Sequence, residues 1–312
     1  MYTEPNRPTL TVFTPAYNRA HTLPRTYESL CKQSCKDFVW LIIDDGSTDN
    51  TKDLVKSWQE AGNGFEIVYK YKENSGMHTA HNAAYRMIDT ELNVCIDSDD
   101  KMADEAIIKI ISFWTDNRCN DAAGIVGLNA DFGGNLIGDF LPETVDKLTL
   151  DEIKEVRKIG GDKKLVYRTE IIKSVPEYPE FPGEKLVPLG YKYLLIDQKH
   201  PLLVMNEILC NVEYQTDGSS NTIVKQYMVS PKGFAEARKA EMVYSLSLQR
   251  RVRACIHYVS SSIISKNRHF LRESPKKHMT FFTIPFGCLL YLYIKHVNEK
   301  KLTKEKYKRT MK

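Results

Sequence analysis

The sequence predicts an α/β fold with a mostly parallel central sheet, continued by a basic helical extension at the C-terminus. Three observations carry this. Strand-like and helix-like segments alternate from Leu10 to Ile96, the order that builds parallel sheets covered by helices. Three polar clusters, Thr14–Asn18, Asp44–Asp49 and Asp97–Asp100, each directly follow an apolar strand segment. After Pro231 the chain becomes basic and reads as helical.

The first strand is Leu10–Thr14, bounded by Pro8 and Pro15, and Thr22 or Pro24 opens a helix through Leu30. The apolar run Phe38–Ile43 is a second strand leading into Asp44-Asp45-Gly46-Ser47, where Gly46 suggests a tight turn with positive φ. A helix follows over 51–61, with Leu54, Val55 and Trp58 on one face. Glu66–Tyr71 is the third strand and ends at Asn74-Ser75-Gly76. Ala80, Ala83, Ala84 and Met87 mark the next helix, and Leu92–Ile96 is the strand that delivers Asp97, Asp99 and Asp100. Beyond it, 105–114 reads as a helix, 124–128 as a strand, Thr149 as the start of a short helix capped by Glu152, 165–167 as a short strand and 202–205 as β. A single long basic helical stretch is expected over 232–265. The domain plan that follows is a catalytic domain over 1–224, with a donor half to about residue 100 and an acceptor half beyond it, then an extension over 225–312.

The 312 residues are enough for one large core plus an appendage, and 42% apolar with 27% charged residues places the chain among soluble globular proteins. The net charge of +4 is unevenly divided: from Lys225 onward 20 Lys and Arg face 5 Asp and Glu, against 24 and 35 before it. Such a basic tail suits an anionic membrane or a nucleic acid. The seven Cys form no disulfide framework and no zinc spacing, so the thiols are expected to be reduced and the protein cytoplasmic. Cys31 and Cys35 would lie one helical turn apart. No basic region followed by an apolar core opens the chain, so no signal peptide is expected.

Sheets of this type bind ligands at the carboxyl ends of their strands, where all three polar clusters fall. Asp97 and Asp99, one residue apart, fit a shared hard divalent ion, Mg²⁺ or Mn²⁺, which takes carboxylate oxygens and keeps places for phosphates. The same spacing equally fits a solvated acidic turn. Tyr17 offers a ring to a nucleobase or is an ordinary half-buried side chain. Asp45 can accept from a base or ribose, or caps Ser47-Thr48. Asp44 and Asp49 read as structural acids, a buried acceptor and a helix-starting acid. His78 and His81 share a helix face without a third ligand nearby.

Four segments together, Thr14-Pro15-Ala16-Tyr17-Asn18-Arg19, Ile43-Asp44-Asp45-Gly46-Ser47-Thr48-Asp49, Glu73-Asn74-Ser75-Gly76 with Ala80 and Asn82, and Asp97-Ser98-Asp99-Asp100, resemble the inverting family 2 glycosyltransferases of GT-A fold, of the bacterial surface-polysaccharide type. The resemblance covers residues 10 to 100 and is looser beyond 130. It implies a nucleoside diphosphate sugar donor, expected to be a UDP-sugar. Its contacts would be Thr14, Ala16, Tyr17, Asp45, Lys72, Gly76, Asn82, Asp97 and Ser98, with Asp99 as the direct ligand of Mn²⁺ or Mg²⁺ and Asp97 reaching the ion or the ribose. It implies one carboxylate base past the middle of the domain, at a helix start; Glu184, after Phe181-Pro182-Gly183, is the candidate, with Glu180 and Asp197 behind it and a purely capping role as the alternative. A Gly-containing loop at 214–220 is expected to close over the donor, with Asp217 completing the shell. Gln249-Arg250-Arg251-Val252-Arg253 lacks the Trp of processive synthases, so one sugar is expected per acceptor, a glycan or polyprenyl-linked hydroxyl.

The uncharged run 279–294 reaches about 24 Å as a helix, short of a roughly 30 Å hydrocarbon core, and Pro285 and Gly287 interrupt it. It is expected to lie at the inner membrane leaflet, with packing on the body or a true span as alternatives. Two other functions compete. A nucleotidyltransferase would open on a Gly-rich loop with an activating Lys, which Thr14–Arg19 does not resemble. A nucleic-acid-binding protein would need a recognised module in the tail, and no nucleic-acid partner is expected.

Overall fold

A computed structural model describes residues 7–213 and 222–310, with side chains as far as residue 300. In chain order the elements are β1 (Leu10–Ala16), α1 (Leu23–Cys31), β2 (Phe38–Asp44), α2 (Thr51–Gln59), β3 (Glu66–Tyr71), α3 (Met77–Met87), β4 (Leu92–Cys95), β5 (Lys101–Met102), α4 (Ala106–Asn117), β6 (Gly124–Ala130), β7 (Lys147–Leu148), β8 (Lys163–Arg168), α5 (Thr169–Ser174), α6 (Gly190–Ile196), β9 (Leu202–Asn211), α7 (Ile223–Val229), α8 (Pro231–Tyr244), α9 (Leu248–Ile264), α10 (Phe270–Glu273) and α11 (Lys277–Thr310). They form two compact units: Met1–Glu177 with Ile196–Glu213, and Tyr178–Leu195 with Tyr214–Lys312.

The first unit is built on one sheet in the order β3-β2-β1-β4-β8-β6-β9-β5, with β7 pairing β9. The pairs β1–β2, β1–β4, β2–β3 and β6–β9 are parallel and hold most of the paired residues. β8 runs antiparallel between β4 and β6. The core is one continuous cluster: Leu10, Val12, Trp40, Ile42, Leu92 and Val94 from the strands, Leu23, Leu30, Val55, Ile107 and Trp114 from the helices. Tyr27 stacks on Trp58, ring centroids 4.3 Å apart.

β1 does not stop at Pro15. Pro15 pairs with Ile43 and Ala16 with Asp44. The Asp45 N–H donates to the Ala16 carbonyl at 2.8 Å, and the Ile96 N–H to that of Phe13 at 3.0 Å. Alternate residues thus face β2 and β4, and Pro15 faces the β4 side after that ladder has ended at Cys95. Its missing N–H therefore breaks no ladder bond. The capping box at Thr149 forms: Thr149 N–H donates to Glu152 Oε2 at 2.8 Å and Glu152 N–H to Thr149 Oγ1 at 3.2 Å. Cys35 falls beyond the end of α1, so it and Cys31 do not share a helix; all seven thiols are free.

The second unit is helical. The basic stretch expected as one helix is two, α8 and α9, broken at 245–247, where Ser247 Oγ accepts from Arg250 N–H and caps α9. α11 runs through Pro285 without ending, against expectation. One of its faces, Thr280, Thr283, Gly287 and Ile294, is buried. A Cβ at Gly287 would lie 2.4 Å from Val259 Cβ, so this glycine lets α11 and α9 pack in close contact, and the packing holds the helix across the proline.

Candidate active site

The C-terminal ends of β1, β2 and β4 lie side by side through their register and carry the three polar clusters to one edge of the sheet. At the end of β2, Asp44 is buried: its Oδ1 accepts from Ser47 N–H at 2.7 Å and its Oδ2 from the Tyr69 hydroxyl at 2.5 Å. Asp49 accepts from Thr51 N–H at 3.1 Å and from Ala20 N–H at 3.0 Å, joining the first loop to the start of α2. Both have the structural roles expected of them.

Asp45 is buried and heavily bonded. Its Oδ1 accepts from Lys72 Nζ at 2.5 Å and Ser75 N–H at 3.0 Å; its Oδ2 accepts from Gly76 N–H at 2.7 Å and Asn74 Nδ2 at 3.2 Å. Two carboxylate oxygens offer about four acceptor positions. A base or ribose reaching this carboxylate must therefore displace Asn74 or Lys72 or share with them. Lys72 also donates to the Glu73 carbonyl and to Thr79 Oγ1, both at 2.8 Å. Gly46, at φ +84°, is the hinge of this arrangement, and a Cβ there would lie 2.7 Å from the Asn74 nitrogen. Gly46→Ala should therefore destabilise the protein by about 1–3 kcal/mol from its backbone alone, with the collision added. Urea denaturation checks this, and an unchanged midpoint would contradict the close approach of the two loops.

The other donor candidates divide by side-chain direction. Tyr17 is 48% exposed and presents its ring. Ala16 is buried and meets Asp45 through its backbone. Thr14 is buried, with its Oγ1 accepting from Trp40 Nε1 at 3.0 Å, so only its backbone faces the edge. Gly76 caps α3 at φ +101°. Asn82 is buried on α3 with His78 and His81. His81 has its Nδ1 3.1 Å from the Tyr85 hydroxyl, its Nε2 3.8 Å from Cys95 Sγ and its ring edge-on to Phe13. It is a core histidine, and among the described residues no group of three His, Cys, Asp or Glu gathers around a metal position.

The acids after β4 point different ways. Asp97 is exposed, Asp99 half-buried, Ser98 and Asp100 buried. The turn closes with Asp100 N–H donating to the Asp97 carbonyl at 3.0 Å. Burial and the Asp97 charge raise the Asp99 carboxyl above the usual range, against the pull of Arg19 and Arg25. Asp100 is the inward acid: Cys210 Sγ approaches its Oδ2 at 3.8 Å, and burial pushes it up to about 7 against the Lys164 charge. Asp97 and Asp99 are thus two hard oxygen donors one residue apart at the end of the strand, a set that fits one divalent ion with further places filled by phosphate oxygens.

Sequence reasoning missed the cations. Lys164 lies buried in β8, donates to the Cys95 carbonyl at 3.2 Å, and is held protonated against the cost of that burial by the Asp100 and Asp97 carboxylates. Its signal was present: Lys164 alternates with Val166 on one strand face, an inward position for a charge. Arg25 pairs with Glu213 at 2.7 Å and lies over Phe132, 5.1 Å from the ring centroid, with Lys101 Nζ 4.3 Å from the same centroid. No local pattern marks that cluster, because it joins residues as far apart in sequence as Arg25 and Glu213.

Of the base candidates, Glu184 does not start a helix; it follows the turn at Pro182-Gly183, and α6 begins six residues later. In the second unit its Oε1 accepts from Lys232 N–H at 3.1 Å and its Oε2 from Gly233 N–H at 2.9 Å, the first turn of α8. Glu180 is exposed. Asp197, in the first unit, accepts from Asp151 N–H at 2.9 Å, and burial pushes its carboxyl up to about 7. This acid binds its proton more tightly folded than unfolded, so stability should fall as pH rises from about 4 to about 7. Asp197→Asn, which keeps the acceptor for Asp151, should stabilise the protein by about 2–4 kcal/mol at pH 8 and by almost nothing at pH 4. Denaturation at the two pH values checks it; a loss of stability at pH 8 would assign Asp197 to a charge partnership instead. Asp217 lies outside the described residues.

The chain is 31% identical over 154 residues to TuaG of Bacillus subtilis, a glycosyltransferase ascribed to teichuronic acid biosynthesis, covering 49% of this chain and 60% of TuaG. It thus spans less than two thirds of that relative. Its fold is similar to S. aureus TarS 1-349 in complex with UDP-GlcNAc, with a TM-score of 0.57 at 16% identity over 94% of this chain and 92% of that one. It is also similar to the mannosyltransferase PcManGT from Pyrobaculum calidifontis in complex with GDP-Man and Mn²⁺, with a TM-score of 0.53 at 14% identity over 92% and 88%. At these identities the likeness is one of fold. The family model for glycosyl transferase family 2 matches residues 11–169, the segment that holds all of the sheet edge described above. Matched over just over half of its length, the chain belongs to glycosyl transferase family 2.

Proposed function

We propose that this protein is an inverting, non-processive glycosyltransferase that moves one sugar from a UDP-sugar to a hydroxyl of a glycan or polyprenyl-linked acceptor. One observation carries the reading: Asp45, Asp97 and Asp99 are delivered to the same edge of the sheet by β2 and β4, on either side of Tyr17 at the end of β1. The solved relatives named above hold a UDP-sugar in one case and GDP-Man with Mn²⁺ in the other, which supports a nucleotide-sugar donor here.

In this reading the Tyr17 ring packs on the base, and Asp45, oriented by Lys72 and the Asn74–Gly76 backbone, accepts from the base or ribose. Ala16, Gly76 and Ser98 supply close backbone around the donor, while Thr14 and Asn82 support it from beneath. Asp99 and Asp97 would hold Mn²⁺ or Mg²⁺, which when bound neutralises charge building on the diphosphate as it leaves. Glu184 takes the proton of the acceptor hydroxyl while its oxygen attacks the anomeric carbon from the face opposite the diphosphate. The carbon–oxygen bond to phosphate breaks in the same step, with inversion and without a covalent intermediate. The catalytic domain is proposed to run over 1–224 and the basic extension over 225–312, with the protein cytoplasmic and peripheral at the inner leaflet.

The experiment is donor hydrolysis with UDP-, GDP- and dTDP-sugars, with Mn²⁺ and with EDTA. Release of UDP that needs the metal is the expected result. Pyrophosphate release from a nucleoside triphosphate and a sugar phosphate would favour a nucleotidyltransferase instead.

A further inference from the structure

The second unit carries an open cavity of about 580 Å³ that the donor chemistry does not use. It is formed by α10, the segment before it and the first turns of α11. Arg268, Arg272 and Lys277 line it, with His269, His278 and the ring of Phe281. The three permanent cations are exposed, and among the described residues none of them forms an ion pair. One acid, Glu273, stands beside Arg272 and accepts from Asn267 Nδ2 at 2.8 Å. Three cations around one cavity repel each other at a cost that an anion would remove.

At Phe281 the cavity meets an apolar stripe: the Phe281 ring lies edge-on to that of Phe282, centroids 5.6 Å apart. Along α11, Phe282, Phe286, Leu289 and Tyr293 recur at a spacing of four, three and four residues, one face of a helix, and are 73%, 59%, 63% and 61% exposed. The buried residues of α11, from Thr280 to Ile294, lie on another face and pack within the unit. The helix therefore has one face committed to protein and another left bare in water. By length and composition the helix over Lys277–Lys300 could cross a membrane, but its face from Thr280 to Ile294 is already buried against protein and its uncharged run is 16 residues between Lys277-His278 and Lys295. Its geometry suits a helix lying in the plane of a membrane surface, apolar side down.

We infer that the Arg268–Arg272–Lys277 cavity is a headgroup site for anionic phospholipid, and that it docks α11 flat on the bilayer with Phe282, Phe286, Leu289 and Tyr293 in the acyl boundary. The occupant follows from charge and position: a phosphate fits among the cations, and a hydrophobic tail attached to it continues along the adjacent stripe. The inference deepens the peripheral-membrane part of the proposed function and rests on it, but needs no donor, metal or acceptor.

The test is co-sedimentation of the full chain with phosphatidylcholine vesicles, with and without phosphatidylglycerol, at low and high salt. The variant Arg268→Ser/Arg272→Ser/Lys277→Ser should lose about 10- to 100-fold in partitioning onto the anionic vesicles. Lys52→Ser/Lys56→Ser/Lys70→Ser removes the same charge from exposed positions that do not line the cavity and should change partitioning less than about 3-fold, since a headgroup held in a site depends on the charges around it rather than on the net charge. Arg268→Lys/Arg272→Lys/Lys277→Arg, which keeps the charge and guards against misfolding, should bind as wild type. Phe282→Ser/Phe286→Ser should weaken binding at both salt concentrations, because its contribution is not electrostatic. Equal losses in the two Ser triple variants would overturn the site in favour of diffuse attraction. Saturable binding of inorganic phosphate that the Ser triple cavity variant loses, with partitioning onto the anionic vesicles unchanged by that variant, would overturn the lipid as occupant in favour of a free anion. Donor hydrolysis measured without vesicles separates the two readings: vesicle binding through the cavity by a protein that hydrolyses no donor supports this inference while removing the transferase.

Discussion

Asp99→Ala should lose sugar transfer by about 10³-fold or more, while the protein unfolds at or above the wild-type temperature. The two halves of that result have one cause. Asp99 is half-buried, and its carboxyl is raised by burial and by Asp97. It is a charge placed where the fold alone would not favour one, and deleting it relieves repulsion against Asp97. In the proposed function the gain belongs to catalysis, since the same crowding of carboxylates would be neutralised by a bound divalent ion. Removing a residue from a strained functional site commonly trades activity for stability. Transfer assayed at saturating Mn²⁺, together with a thermal melt, reads both. An active Asp99→Ala protein would move the metal role away from this turn. An inactive protein with a much lower melting temperature would make Asp99 structural.

Glu184→Gln separates two roles for one carboxylate. If Glu184 is the base, turnover should fall by about 10²–10⁴-fold with donor affinity unchanged, because the amide cannot take the acceptor proton. The carboxylate also accepts the Lys232 and Gly233 N–H groups at the start of α8, where a negative charge is favoured. The amide retains one acceptor oxygen, so the substitution should also cost about 1 kcal/mol of stability. The α8 start is tightly built: a Cβ on Gly233 would lie 2.0 Å from the Leu186 carbonyl oxygen, which keeps that N–H against Glu184. The discriminating measurement is kcat per folded molecule at a temperature well below the melt. A normal kcat with a lowered melting temperature would leave Glu184 as a cap and pass the base to another acid.

What could be read in the sequence followed from how local each signal was. The elements from Leu10 to Met87 were legible because alternating apolar runs and turn residues fix them over short windows. The Asp45 loop was legible in outline, since Gly46 and Gly76 announce backbone that only glycine adopts cheaply. Its four-donor grip on one carboxylate was not, because Lys72 and Asn74 are brought to Asp45 by the β2–β3 pairing rather than by any spacing. Pro15 and Pro285 misled for one reason: each was read as a stop, yet at Pro15 no ladder bond was due, and at Pro285 packing on α9 carries the helix through. The antiparallel insertion of β8 between β4 and β6 was invisible, and it is this insertion that brings the inward Lys164 to the Cys95 carbonyl beside the acids. The apolar and buried faces of α11 could not be told apart without α9.

Calorimetric titration of UDP into the full chain, with Mn²⁺ and then with EDTA, tests the nucleotide site most directly. The expected result is saturable binding of UDP that weakens at least about 10-fold when the metal is removed, and weaker binding of GDP and dTDP. UDP heats that are identical in Mn²⁺ and EDTA, or no binding of any nucleoside diphosphate in either, would contradict it.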